Sequence, residues 1–154
     1  MSIPYRQLIG VEFCLKTIRV CRFNSNGYPL GIVELLMPQP AMPGAVTVDL
    51  CEAIVSIDQF LQTEFVGIAL PGQIDSSGRV VQSCIELPGW INVPLADWME
   101  SRLSRTVVLV NLPDCSSVSE TFRLKHKRVD DDNLCSVAAA ILSFERLNGI
   151  TEVL

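Results

Sequence analysis

The sequence predicts an α/β domain built on a mixed β-sheet, and three observations predict it. Three short apolar or alternating segments are separated by tight turns, and each of two amphipathic segments then leads into a wholly apolar run of strand length. The first segment, residues 7–13, is apolar. The second, residues 16–23, alternates Ile18 and Val20 with Thr17 and Arg19, so the two form neighbouring strands across a very short turn. Asn24-Ser25-Asn26-Gly27 supplies a second turn, because an Asn-Gly pair tolerates positive φ. It leads into a third strand over residues 30–37. The prolines at 38, 40 and 43 end the antiparallel pairing.

Helical spacing follows. Val46, Leu50, Ala53, Ile54, Ile57, Phe60 and Leu61 recur on one face, with Asp49, Glu52 and Asp58 expected on the other. The run 65–70 reads as a buried parallel strand. Pro71-Gly72 breaks it, and residues 74–81 look like a small hairpin with Gly78 in its turn. Pro94 sits at a helix start, residues 95–103 are amphipathic, and residues 106–110 form a second buried strand. Beyond it, a short helix is expected from Asp114, as N-cap, to about residue 122. A basic stretch over 123–128 and three aspartates at 130–132 come next, then a final helix over about 133–147 with Gly149 at its end. Three antiparallel strands followed by two crossovers are the pattern of the ribonuclease H-like fold, with strand order 3-2-1-4-5 and helices on both faces. One domain over residues 1–154 is the expectation for this length.

Composition narrows the function classes. A net charge of −5, from 12 Lys and Arg against 17 Asp and Glu, disfavours nucleic acid and anionic membranes as partners, since both are bound through positive fields. No apolar run reaches the roughly 20 residues that span a bilayer, and the first residues lack the pattern of a signal peptide, so a soluble cytoplasmic chain is expected. The six cysteines, at 14, 21, 51, 84, 115 and 135, form no CxxC pair or zinc knuckle and read as buried free thiols. His126, in Lys125-His126-Lys127, reads as an exposed loop residue. No metal site or cofactor is expected.

Val66-Gly67-Ile68-Ala69-Leu70-Pro71-Gly72-Gln73-Ile74-Asp75, Gly78-Arg79-Val80, Leu87-Pro88-Gly89-Trp90 and Val93-Pro94-Leu95 follow one another in this order. Together they resemble the N-terminal domain of ROK-family sugar kinases and repressors, the ASKHA proteins that include bacterial glucokinases. The resemblance covers about residues 7–120 and implies a truncated relative of such a kinase. In the family, the turn after the first strand reads Asp-x-Gly-Gly-Thr-Lys, whose glycines let backbone amides approach a phosphate. Here it reads Glu12-Phe13-Cys14-Leu15-Lys16-Thr17, with side chains where the phosphate needs room. The family's Asn-Asp-Ala-Asn, whose Asp is the base for the sugar hydroxyl, aligns with Asn111-Leu112-Pro113-Asp114, and Leu112 accepts no proton.

Glu86 stands where the family has a sugar-contacting Asn, and Glu120 matches an acid that holds sugar hydroxyls. The resemblance therefore implies a vestigial sugar and phosphate cleft of Glu12, Lys16, Glu86, Asn111, Asp114 and Glu120 with no catalytic residue. The larger lobe that supplies the adenosine pocket and the zinc ligands of the family has no counterpart in the sequence. The six residues ahead of the first strand are too few for the winged helix of the family's repressors.

The expectation is a pseudokinase, a noncatalytic interaction or regulatory module that self-associates or binds a protein partner. Two alternatives keep the same cleft: a sugar or sugar-phosphate binder, and one half of a split sugar kinase. A metal-dependent nuclease using Glu12 with Asp131 or Asp132 fits less well, because the fourth strand carries no acid where one is expected.

Overall fold

The structure is a computed structural model and describes residues 7–14, 16–24, 29–59 and 63–111. Its main sheet has five strands. β1 (Gln7–Phe13), β2 (Thr17–Asn24) and β3 (Pro29–Leu36) form an antiparallel meander, and β4 (Thr63–Leu70) and β7 (Thr106–Asn111) add to it in parallel. The order is β3-β2-β1-β4-β7. This is the expected 3-2-1-4-5 arrangement, since the two intervening strands, β5 (Gln73–Ile74) and β6 (Val81–Ser83), pair only with each other.

Helices α1 (Pro43–Ile57) and α2 (Leu95–Leu103) fill the two crossovers. α1 packs on β2, β3 and α2, and α2 packs on β7, so both lie on one face. The helices expected over 114–122 and 133–147 lie outside the described residues, as do the Asn24–Gly27 turn residues from 25 on.

The core lies between that face and the helices. Ile9, Val11, Phe13, Ile18, Val20, Val66, Ile68, Val107 and Leu109 project from the sheet onto Val46, Leu50, Ile54, Leu95 and Met99. The two-residue period of the strands and the 3.6-residue period of the helices put these side chains on facing surfaces. Trp90 is completely buried, stacks edge-on against Phe13 with ring centroids 5.9 Å apart, and donates its indole N–H to the Ala41 carbonyl at 2.7 Å. That contact ties the loop after β6 to the start of α1. The opposite sheet face is apolar and buried too, at Leu8, Cys21, Phe23, Phe65, Val108 and Val110.

Two boundaries differ from expectation for identifiable reasons. α1 begins at Pro43, within the proline cluster, because proline fixes φ at a helical value and the first turn needs no amide from it. It ends at Ile57, so Asp58 is not on the exposed helix face. Asp58 instead terminates the helix, is buried, and forms an ion pair with Arg105 at 3.0 Å. Gly78 has φ +73°, and the Asp75 carboxylate shapes its turn by accepting the amides of Arg79 at 2.8 Å and Val80 at 2.9 Å. Among the described residues no helix is long and apolar enough to cross a membrane.

Candidate functional site

The carboxyl ends of parallel strands are where an open α/β sheet presents side chains to a ligand. β1, β4 and β7 end here at Phe13, Leu70 and Asn111. The fold therefore brings Glu12, the turn at Cys14 and Lys16, Pro71-Gly72 and Asn111 to one end of the sheet.

Each predicted residue has a definite place. Glu12 lies in register with Arg19 on β2 and, through it, with Glu34 on β3. Arg19 bridges the two acids, 3.7 Å from Glu12 and 3.2 Å from Glu34. The carboxylate of Glu12 is thus engaged in a cross-strand charge ladder, the sheet's usual way of satisfying opposite charges placed side by side. In the turn, the Cys14 amide donates to the Thr17 carbonyl at 2.8 Å, and the Met37 amide donates to the Lys16 carbonyl at 2.8 Å. The Cys14 thiol folds against the Glu12 carbonyl. Burial first, and then the negative charge of Glu12, push this thiol's pKa up, so it stays protonated at neutral pH. Lys16 is exposed.

A second group forms around Pro71-Gly72. The Asn111 side-chain amide donates to the Gly72 carbonyl, and the Cys84 thiol donates to the Pro71 carbonyl at 2.9 Å. The Glu86 carboxylate lies 3.8 Å from that same thiol. Gly72 is required here: a Cβ on it would stand 2.6 Å from the Ser83 carbonyl oxygen and 3.2 Å from the Cys84 Cβ. Asn111 and Glu86 thus share one rim, whereas Glu12 turns to Arg19. Asp114 and Glu120, like Leu15, Leu112, His126, Asp131 and Asp132, lie outside the described residues.

Sequence reasoning missed Arg19, Gly72 and Cys84. Arg19 was within reach, because pairing the two strands across their short turn puts it opposite Glu12. Gly72 read as a strand breaker within the family-like motif and Cys84 as one of the buried thiols, and neither reading carried a signal of the contacts they make. The described cysteines are free; Cys14 is half-buried and Cys21, Cys51 and Cys84 are buried. Burial pushes the Cys21 and Cys51 thiols up to about 11. Among the described residues no group of three or more His, Cys, Asp or Glu is placed to hold a metal ion.

A glucokinase of Thermotoga maritima is 34% identical over 109 residues, which are 71% of this chain and 34% of that protein. A ROK family glucokinase from Streptomyces griseus, solved with glucose and AMPPNP, superposes with a TM-score of 0.67 at 24% identity, over 74% of this chain and 36% of that one. The chain carries a ROK-family, glucokinase-like domain. The same fold recurs in the inorganic polyphosphate/ATP-glucomannokinase of Arthrobacter sp. strain KM, with a TM-score of 0.66 at 22% identity over 82% of this chain and 51% of that one. No family model matches the sequence. The ROK-like chain spans about a third of the length of the glucokinases it matches.

Proposed function

We propose that this ROK-like domain is a noncatalytic relative of the sugar kinases, serving as an interaction or regulatory module and transferring no phosphoryl group by itself. The β1–β2 turn carries the reading. Cys14 stands where the kinases have a glycine, its amide is already bonded to Thr17, and its thiol lies against the Glu12 carbonyl. A phosphate approaching that backbone would meet a side chain instead of free N–H groups. The acid at the end of β1 is paired with Arg19, and in the sequence a leucine, Leu112, aligns with the family's catalytic base. Loss of a general base alone lowers a rate by roughly 10²- to 10⁴-fold, and loss of the phosphate clamp adds to that.

The second reading, a sugar or sugar-phosphate binder without turnover, is favoured by one observation: Asn111 donates to the Gly72 carbonyl and Glu86 lies beside the Cys84 thiol that donates to Pro71, an arrangement with both a donor and an acceptor for hydroxyl groups. The ROK family glucokinase of Streptomyces griseus, which shares this fold over 36% of its length, was solved in complex with glucose.

Isothermal calorimetry of the purified chain with magnesium–ATP and a panel of hexoses, separately and together, tests both. Silence in every titration is the expected result. Heat with a hexose alone selects the binder. Heat with nucleotide refutes the noncatalytic reading and points to one half of a split sugar kinase, completed by a separate chain.

A further inference from the structure

α1 and α2 leave a groove of about 580 Å³ on their outer side. Its apolar walls are Val48, Cys51 and Val55 of α1 and Leu103 of α2; Glu52 and Arg102 contribute one charge from each helix. Val48 is 36% exposed and Val55 48%. Trp98, one turn before Arg102 on α2, is 39% exposed, and a half-exposed tryptophan beside a groove is the kind of side chain that anchors protein contacts. Neither Glu52 nor Arg102 takes part in an ion pair or hydrogen bond among the described residues.

The charge pattern selects the occupant. An acidic partner helix would meet Glu52 and a basic one would meet Arg102. A second copy of the same surface, turned by a two-fold axis, sets the acid of each chain against the base of the other and forms both pairs at once. The groove also lies away from the candidate cleft. Gln59 lines it just ahead of β4 and Leu103 just ahead of β7, so it sits toward the amino ends of the parallel strands, whereas Glu12 and Asn111 sit at the carboxyl ends.

We propose that this groove is a two-fold dimerisation surface, in which Val48 and Val55 pack against their counterparts and Glu52 of each copy pairs with Arg102 of the other. The proposal deepens the interaction-module reading, but its failure is separable from the failure of that reading. Nucleotide heat in calorimetry concerns the strand ends, and solution mass concerns the helix pair.

Light scattering coupled to size exclusion, on the full chain from micromolar to near-millimolar concentration, tests it. The wild type is expected to be a dimer. Glu52→Arg and Arg102→Glu each place like charges together twice per dimer and weaken association by at least about tenfold. An equimolar mixture of the two variants is expected to recover the dimer mass, since each supplies the charge the other lacks. A monomeric wild type, reversals that leave the dimer intact, or a mixture that stays monomeric would each overturn the proposal.

Discussion

Replacing Asp58 with alanine removes one half of an ion pair that water does not reach. The Asp58 and Arg105 side chains are each 1% exposed. Arg105 donates to the Thr63 hydroxyl at 3.2 Å, to the Leu103 carbonyl at 3.0 Å, and to both the carbonyl and the carboxylate of Asp58, at 3.1 and 3.0 Å. The same carboxylate accepts the Thr63 amide at 3.0 Å and the Thr63 hydroxyl. The cluster joins the end of α1 to the starts of β4 and β7.

Asp58→Ala leaves a guanidinium buried without its counter-ion and orphans the Thr63 amide. Stranding one partner of such a pair costs about 3–5 kcal/mol. For a chain of this size that is a fall in Tm of roughly 6–20 °C. Urea unfolding followed by circular dichroism, at one fixed protein concentration, measures it. Adding Arg105→Met to Asp58→Ala is expected to recover part of the loss, because most of the cost is the stranded charge. A loss below about 1 kcal/mol, or a double variant as unstable as the sum of the two single ones, would refute the reasoning.

Three further outcomes follow from the other charged cluster, from the rim and from the first turn of α1. Glu100 accepts from Arg79 and from the Val107 amide, and Arg79 chiefly holds its carboxyl below the usual value of 4.5. A depressed folded pKa gives stability that is present above 4.5 and lost as pH falls below it. Glu100→Gln should therefore cost about 1 kcal/mol at pH 7 after allowance for solvent screening, and urea midpoints should show the gap to wild type closing as the pH is taken below 4.5. Gly72→Ala should destabilise the chain by about 1–3 kcal/mol, because the new Cβ meets backbone. Gly44→Ala, which meets nothing within 4 Å in α1, should instead stabilise it by up to about 1 kcal/mol in the same assay.

Several features were legible from the chain alone because they depend on neighbours in sequence. The apolar run of β1, the apolar period two of β2, helical spacing from Val46, and the unbroken apolar run ending at Leu70 set which segments are strands and which are helices. The meander followed by two crossovers then allowed one sheet order, and the residues between Val66 and Leu95 carried the ROK resemblance. The altered turn at Cys14 and the leucine at position 112 were visible for the same reason.

Tertiary structure decided which charged and polar groups meet. Arg105 reaches Asp58 across 47 positions of chain and Asn111 reaches Gly72 across 39. An aspartate at the end of an amphipathic helix carries the pattern of a solvated residue; only the end of α1 at Ile57 and the arrival of β7 beside β4 turn it inward. Glu12 reads as a free carboxylate until the hairpin sets Arg19 opposite it. Periodicity specifies a buried face, but the partner on that face is fixed by where distant segments of the chain return, and that information resides in the packing.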